Sequence, residues 1–170
     1  MINKILVVGS GAREHAIVKA LSKSPKNKEI YCLASNMNPG IAELCDEIIV
    51  DDINNPQTTG RYAKEINATL AIIGPENPLA NGVSDILWGL GIPTIGPKKS
   101  LAQVEVSKSF TRNLQKTYQI PGSPTYRHFK SMEGVSGFLK KLGDNYVVKY
   151  DGLAGGKGVK VSGDHLKNHH

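Results

Sequence analysis

Short apolar runs alternate with helical segments over the first hundred residues, and this alternation restricts the fold more than any other feature. Lys4–Val8 is a continuous apolar, β-branched run, which is typical of a parallel strand buried on both faces. Four further short runs are predicted to be strands: Glu29–Ala34, Glu47–Val50, Leu70–Ile73 and Pro93–Ile95. Because helical segments lie between most of these runs, the sequence predicts an α/β fold whose open, Rossmann-like parallel sheet has helices on both faces.

Three helices are predicted between these strands: Arg13–Ser24, Thr58–Ile66 and Leu79–Leu90. The first two carry their apolar residues on one helical face. Pro25 and Gly91 supply stop signals for the first and the last of them.

The pattern changes after about residue 100, where a smaller α+β unit is predicted. Its elements are two helical pieces (Ser100–Glu105 and Ser107–Tyr118), a strand (Thr125–Phe129), a helix (Met132–Leu142) and two further strands (Tyr146–Tyr150 and Val159–Ser162). Ile120–Pro124 is rich in turn residues and is the best candidate for a boundary. We therefore expect a domain over 1–100, a helical linker over 101–122 and a second, incomplete domain over 123–170.

A glycine-rich loop, Asp151–Gly158, lies between the last two strands. Lys149 precedes the loop and Lys157 lies within it. Glycines let the backbone approach a ligand closely, and consecutive exposed N–H groups with nearby lysines form a cradle for anions. Val159 follows Gly158, so the loop lacks the Gly-Lys-Ser/Thr ending of a Walker A motif. The loop favours phosphate binding, and a plain glycine-rich β-hairpin is the alternative.

The turn after the first strand, Gly9-Ser10-Gly11, suggests a dinucleotide fingerprint but does not complete it. Glu14 stands where the third glycine of Gly-x-Gly-x-x-Gly is required, and the second predicted strand ends without an acid that could hold a ribose hydroxyl. A nicotinamide cofactor is therefore not expected. A single phosphate at this helix N-terminus remains open, because its amides should be free, and Arg13 could serve as a phosphate fork.

Two more turns should lie at the same edge of the sheet, since the carboxyl ends of parallel strands meet there. Asn38-Pro39-Gly40 follows the second strand, and Gly74-Pro75-Glu76 follows the fourth. The alternatives are an ordinary loop for the first turn and helix N-terminal charge for Glu76. His15 could face a ligand, although a lone histidine is more often structural.

Composition narrows the function classes. The 39% hydrophobic and 21% charged content is that of a soluble globular protein, and neither a bilayer-spanning run nor a signal peptide is evident, so a cytoplasmic location without membrane partners is expected. Cys32 and Cys45 are predicted to be reduced thiols. The net charge of +6 suits an anionic partner, but basic and aromatic residues do not interleave, which favours phosphorylated small molecules over nucleic acid.

Taken together, these motifs resemble the amino-terminal part of the glycinamide ribonucleotide synthetases (phosphoribosylamine–glycine ligases), ATP-grasp enzymes of purine biosynthesis. The matching segments run in the family's order over nearly the whole chain: Gly9–Ala16, Asn38–Gly40, Gly74–Glu76 with Pro78, Leu79 and Gly82, Gly91–Pro93 with Gly96 and Pro97, Glu105 with Ser107 and Lys108, Val147–Lys149, Asp151–Ala154 and Gly156–Gly158. The departures from the family's pattern are small: Ala12, Val106, Tyr150 and Gly155.

The resemblance implies a fold, a reaction and site residues. The fold would be a pre-ATP-grasp domain followed by part of the ATP-grasp lid. The enzyme would be an ATP-dependent carbon–nitrogen ligase that joins glycine to 5-phosphoribosylamine through glycyl phosphate. ATP-binding residues would be Lys108, Lys149, Gly152, Gly155, Gly156, Lys157 and Gly158. Substrate-binding residues would be Gly9, Ser10, Gly11, Arg13, Glu14, His15, Asn38, Pro39, Gly40 and Glu76.

The resemblance also implies that this chain is a fragment. The family's Mg²⁺ ligands, adenine hinge and Arg-Phe-Gly-Asp-Pro-Glu signature are expected beyond His170. No metal site and no catalytic residue are therefore predicted in this chain, and it should have little or no ligase activity alone. His165, His169 and His170 are interpreted as a tail or tag rather than as metal ligands. A monomer is favoured. The alternatives are another ATP-grasp ligase of purine biosynthesis, and a non-catalytic module that binds ATP or a sugar phosphate.

Overall fold

The computed structural model describes residues 2–167. The chain divides into two compact units, Met1–Ala102 and the residues from Gln103 onward, here called the first and second units. The residues expected to form a linker (101–122) are not set apart by this division, since most of them group with the second unit. Within the described range, no helix has both the length and the apolar character that crossing a membrane requires.

The first unit contains a five-stranded parallel sheet in the order β3-β2-β1-β4-β5. Its strands are β1 (Asn3–Val8), β2 (Lys28–Ala34), β3 (Glu47–Val50), β4 (Leu70–Ile73) and β5 (Thr94–Ile95). Its helices are α1 (Ala12–Ser22), α2 (Pro39–Ala42), α3 (Pro56–Glu65), α4 (Glu76–Asn81) and α5 (Val83–Gly89), and α6 (Lys99–Val106) runs across residue 102. The predicted α/β fold class is confirmed.

The core lies on both faces of the central strand. Leu6, Val7 and Val8 of β1 have no exposed surface, which explains why this strand is apolar without alternation. Val7 packs with Val18 and Ile41 in a cluster between the sheet and helices α1 and α2. Leu6 and Val8 point to the opposite face, because successive side chains alternate along a strand.

Two helix predictions for the first unit were wrong. The predicted helix Leu79–Leu90 is two helices, because Gly82 adopts φ +94° and its N–H bonds to the Leu79 carbonyl oxygen at 3.1 Å, which ends α4. Helix α2 was not predicted at all, since Asn38–Gly40 was interpreted only as a turn. Asn38 caps it and Pro39 occupies its first position, a pair of start signals that the sequence does carry.

The second unit contains α7 (Lys108–Thr117), α8 (Val135–Leu142) and an antiparallel pair, β6 (Val147–Lys149) and β7 (Val159–Val161). The predicted strand Thr125–Phe129 was wrong: among the described residues β6 and β7 pair only with each other, so this segment has no ladder partner. Helix α8 begins three residues later than Met132, after Gly134 at φ +76°.

Candidate functional site

A crevice opens in the first unit at the carboxyl ends of β1 and β4, where the strand order reverses direction. The Gly74 N–H donates to the Val8 carbonyl oxygen at 3.1 Å, which fixes the turn after β4 beside the turn after β1. Two cavities of about 250 and 420 Å³ lie here. Open parallel sheets bind ligands at such a switch point, and the structure brings the predicted turns together there.

Glu14 turns inward and is 4% exposed. Its Oε2 accepts a hydrogen bond from the Gly11 N–H at 2.6 Å, while a Cβ on Gly9 or Gly74 would collide with its side chain. These glycines therefore make room for a carboxylate. The expectation that the α1 amides are free was wrong for Gly11, because the Glu14 carboxylate already occupies that position and repels an anion there.

Arg13 reaches from α1 to the turn after β4. Its Nη1 donates to the Gly74 carbonyl oxygen and lies 4.0 Å from Glu76 Oε2. Both side chains line the smaller cavity and remain partly exposed, at 63% for Arg13 and 35% for Glu76. A forked cation and a carboxylate acceptor are thus available together to a ligand at the crevice.

A polar network joins the turns after β1 and β2. Ser10 Oγ donates to Asn36 Oδ1 at 2.6 Å and lies 3.0 Å from Ser35 Oγ. Asn38 Nδ2 donates to the Ser10 carbonyl oxygen at 2.9 Å, and Asn38 Oδ1 accepts from the Gly40 N–H at 3.0 Å. Side-chain bonds therefore hold these loops in one arrangement before any ligand arrives.

His15 packs against the backbone of the same loop. A Cβ on Gly40 would lie 2.7 Å from His15 Cε1, so residue 40 must lack a side chain for the half-buried imidazole to fit. Pro39 begins α2 beside this contact. The structure thus places His15, Pro39 and Gly40 together, with the imidazole supporting the loop.

The sequence reasoning missed several residues of the larger cavity. Ser35, Asn36, Ile53, Asn54, Asn77 and Pro78 line it beside Ser10 and Glu14. Asn36 follows β2, Asn54 follows β3 and Asn77 follows β4. Their signal was available, because each comes soon after the carboxyl end of a predicted parallel strand.

In the second unit, the start of the glycine loop is bonded to the start of α7. Lys108 Nζ donates to the Gly152 carbonyl oxygen at 2.7 Å. Asp151 accepts from the Ser109 N–H at 3.1 Å and from the hydroxyls of Ser107 and Ser109. Partial burial opposes ionisation of Asp151, but the hydrogen bonds from Ser109 and Ser107 outweigh it and hold its pKa below the ordinary value.

The tip of the loop is open. Gly155 and Gly156 have φ values of +53° and +79°, a run of left-handed backbone that glycine tolerates, and both residues are exposed. The loop closes on itself through the Lys157 N–H, which donates to the Ala154 carbonyl oxygen at 2.9 Å, and its stem closes at Gly158. Lys149 and Lys157 are exposed, so two ammonium groups border this open backbone.

Residues 2–167 contain no group of three or more His, Cys, Asp or Glu side chains placed to hold a metal ion. His165 Nδ1 accepts from the Val161 N–H at 3.3 Å. His169 and His170 lie outside the described residues. Cys32 and Cys45 are free thiols, and burial raises the pKa of Cys32 to about 12, so it is an inert core thiol.

Known families and structures match both units. The family model for the N domain of phosphoribosylglycinamide synthetase matches residues 3–105, and the model for the ATP-grasp (A) domain of the same synthetase matches residues 106–169. Phosphoribosylamine–glycine ligase of Methanosarcina barkeri is 47% identical over 163 residues, which are 96% of this chain. The ligase of Methanococcus vannielii is 48% identical over 169 residues, 97% of this chain. The chain spans about 37% and 38% of the length of these two relatives.

Solved structures share the fold at low sequence identity. The biotin carboxylase domain of the Hydrogenobacter thermophilus 2-oxoglutarate carboxylase matches 99% of this chain (38% of its own) with a TM-score of 0.77 at 18% identity. The phosphoribosylglycinamide synthetase of Anaerococcus prevotii matches 99% (40% of its own) with a TM-score of 0.64 at 18% identity. These likenesses concern the fold alone. The two family models establish membership: the chain belongs to the phosphoribosylglycinamide synthetase family.

Proposed function

We propose that the natural-length protein is an ATP-dependent ligase that joins glycine to 5-phosphoribosylamine and forms glycinamide ribonucleotide, ADP and phosphate. The observation that carries the proposal is the tandem family match, N domain over 3–105 and ATP-grasp domain over 106–169. Relatives that are 46–48% identical carry the name of this activity. Because the chain spans 37% of the first of them, we expect no turnover from these 170 residues alone.

The crevice of the first unit is proposed to hold the sugar-phosphate amine. The larger cavity, about 420 Å³, is of the size that small-ligand sites have. The smaller cavity, which Arg13 and Glu76 line, shares Gly11, Glu14 and Pro75 with it. Arg13 is assigned to the phosphate, since its guanidinium matches phosphate oxygens, and Glu76 to the ribose hydroxyls. Of the remaining proposed contacts, Ser10, Gly11 and Glu14 line the larger cavity. The others belong to the turns beside it: Gly9, His15, Asn38, Pro39 and Gly40.

The second unit is proposed to bind the ATP phosphates. Lys108, Lys149 and Lys157 supply positive charge, while Gly152, Gly155, Gly156 and Gly158 let backbone amides approach the phosphate oxygens. The glycine carboxylate would attack the γ-phosphate to give glycyl phosphate and ADP. The sugar amine would then attack the acyl carbon, and phosphate leaves. Positioning and neutralisation of charge carry such a reaction, and a loop that excludes water protects the acyl phosphate.

The ATP-grasp family also implies Mg²⁺. Within the part of the chain that the structure describes, no group of three or more His, Cys, Asp or Glu side chains is placed to hold a metal ion. We assign no metal ligand to this chain. The expectation that the ligands lie elsewhere in the natural protein stays a prediction.

The test is ADP release by the natural-length protein supplied with ATP, Mg²⁺, glycine and phosphoribosylamine, each omitted in turn. Release that requires both glycine and the amine is expected. Release without glycine would point to another ATP-grasp ligase of purine biosynthesis, and no release would point to a binding module.

A matched pair of variants tests the crevice. Glu76→Gln should raise the KM for phosphoribosylamine about tenfold, because a charged acceptor of hydroxyl hydrogen bonds is lost. Glu65→Gln, at the exposed end of α3, should leave that KM unchanged. Equal effects from the two variants would remove Glu76 from the site.

A further inference from the structure

The glycine loop has a fastened base and an open tip. At the base, the two carboxylate oxygens of Asp151 lie 3.2 and 3.3 Å from Ser107 Oγ. The carboxylate also accepts hydrogen bonds from the N–H and the hydroxyl of Ser109. At the tip, a Cβ built on Gly155 or Gly156 would meet no atom of the described residues within 4 Å. The two ends of one short loop are thus held very differently.

The fastening involves a charge at the amino end of α7, a ten-residue helix. Ser107 caps this helix by accepting from the Phe110 N–H at 3.1 Å, and the same hydroxyl donates to Asp151. His128 Nε2 lies 3.7 Å from Asp151 Oδ2. A carboxylate is well suited to this position, because the free amides and the helix dipole both favour an anion.

Lys108 lies between the two serines that hold Asp151. Its ammonium group donates to the carbonyl oxygen of Gly152, the residue after Asp151, at 2.7 Å. The carboxylate therefore fixes the backbone to which Lys108 is bonded, and the lysine and the start of the loop form one assembly. Without the carboxylate, nothing in the set Ser107, Lys108 and Ser109 would hold Gly152 except the lysine itself.

We propose that Asp151 is a positioning residue: it fastens the base of the glycine loop to the start of α7 and thereby sets where Lys108 and the loop amides meet the ATP phosphates. The part concerning ATP rests on the proposed function. The part concerning Lys108 and Gly152 does not. Asp151 itself would not contact the nucleotide, because its two oxygens already face Ser107 and Ser109.

The first experiment needs no nucleotide. Lysine acetylation rates in the full chain are measured by mass spectrometry, and the rate at Lys108 is divided by the mean rate at Lys140 and Lys141 of α8. Asp151→Ala should raise this ratio on the order of fivefold, because the hydrogen-bonded ammonium group is released. Asp151→Asn, which keeps an acceptor for the Ser109 N–H, should raise it less. Asp164→Asn, an exposed acid of the same unit, should leave it unchanged.

An unchanged ratio in Asp151→Ala would overturn the proposal. If that variant unfolds the second unit, all three lysines will react faster together. The milder Ser109→Ala variant then decides: a selective rise at Lys108 supports the proposal, and an unchanged ratio overturns it.

The second experiment uses the natural-length protein and its ADP release. Asp151→Asn should raise the KM for ATP about tenfold and leave the KM for glycine unchanged, a split that general destabilisation would not produce. Equal changes in both constants would overturn the ATP part of the proposal. If the unsubstituted protein releases no ADP, the proposed function fails, while the acetylation result still decides the role of Asp151 at Lys108.

Discussion

The two units of this chain solve the problem of holding a site in different ways. The first unit has ten basic and ten acidic residues, whereas the second has eleven basic and five acidic residues, so the whole net charge of +6 lies in the second. Among the described residues of the second unit, only Leu139 and Tyr146 are buried hydrophobic residues. The crevice of the first unit is therefore supported by a hydrophobic core, whereas the glycine loop of the second unit is held by hydrogen bonds.

The crevice of the first unit and the glycine loop of the second also differ in how many of their polar groups are already bonded. In the crevice, Ser10, Glu14 and Asn38 are already bonded to backbone or side-chain partners, as a preorganised ligand site requires. In the glycine loop, the side-chain bonds described above all lie at the base, and the tip has a single backbone bond, from the Lys157 N–H to the Ala154 carbonyl oxygen. We infer that the crevice selects its ligand by fixed shape, whereas the loop binds by charge and backbone approach.

The largest expected effect tests the unequal cores. Leu6→Ala should lower the free energy of unfolding of the first unit by about 4 kcal/mol, because Leu6 is fully buried in close packing. Leu139→Ala, at 9% exposure, should cost the second unit about 2 kcal/mol.

Urea unfolding followed by the fluorescence of Trp88, the single tryptophan, reports on the first unit, and far-UV circular dichroism reports on both. If Leu139→Ala lowers the free energy of unfolding measured by Trp88 fluorescence as much as Leu6→Ala does, the two units unfold in one cooperative transition.

The next effect concerns the glycines of the crevice. Gly74→Ala should destabilise the first unit by about 3 kcal/mol, because the new Cβ would collide with the Glu14 carboxylate and displace it from Gly11. Gly89→Ala is the matched control: its Cβ would meet nothing within 4 Å, and alanine favours the helix by about 0.5–1 kcal/mol. If Gly74→Ala unfolds at the same urea concentration as the unsubstituted chain, the Glu14 side chain can leave its buried position without a cost in stability.

A third comparison uses two lysines of the same short sheet. Lys149 pairs with Val159 in the β6–β7 ladder, and Lys160 is the next residue along β7, so the two side chains lie on opposite faces. Lys149→Gln should raise the KM of the natural-length protein for ATP about tenfold, while Lys160→Gln should leave it nearly unchanged. If both variants raise this KM alike, the second unit attracts ATP by general charge instead of by a defined site.

How much of this could be predicted from the sequence depends on how far apart the interacting residues are. Glu47–Val50 and Leu70–Ile73 were predicted with the bounds that the structure gives, because a buried strand shows in its own residues. The inward turn of Glu14 was not predicted, because the space for its carboxylate is made by Gly74, sixty residues later. The prediction of a strand at Thr125–Phe129 was wrong for the same reason, because a strand forms only where another strand pairs with it, and its own residues do not reveal that partner.

The same distinction applies to the candidate site residues. Its turns could be located, because each follows an apolar run. Their bonding could not: Asp151 is joined to Ser107 and Ser109, more than forty residues earlier, and no local pattern marks that pairing. Which of the predicted residues touch ATP or the sugar amine stays a prediction.

The smallest expected effect is a titration that shows whether the loop base is fastened in solution. The hydrogen bonds from Ser109 and Ser107 outweigh partial burial and hold the pKa of Asp151 below its ordinary value of 3.8. Because the folded pKa is lowered, the carboxylate stabilises the fold above 3.8, and this contribution is lost as the pH falls through the lower, folded pKa. The Ser109 amide proton, which donates to Asp151 Oδ1 at 3.1 Å, should therefore shift in NMR spectra with a midpoint below 3.8. Asp151→Asn should abolish this titration. A midpoint at or above 3.8 would mean that the hydrogen bonds to Asp151 are not formed in solution, and of the bonds described here only that from Lys108 to the Gly152 carbonyl oxygen would then join the loop base to α7.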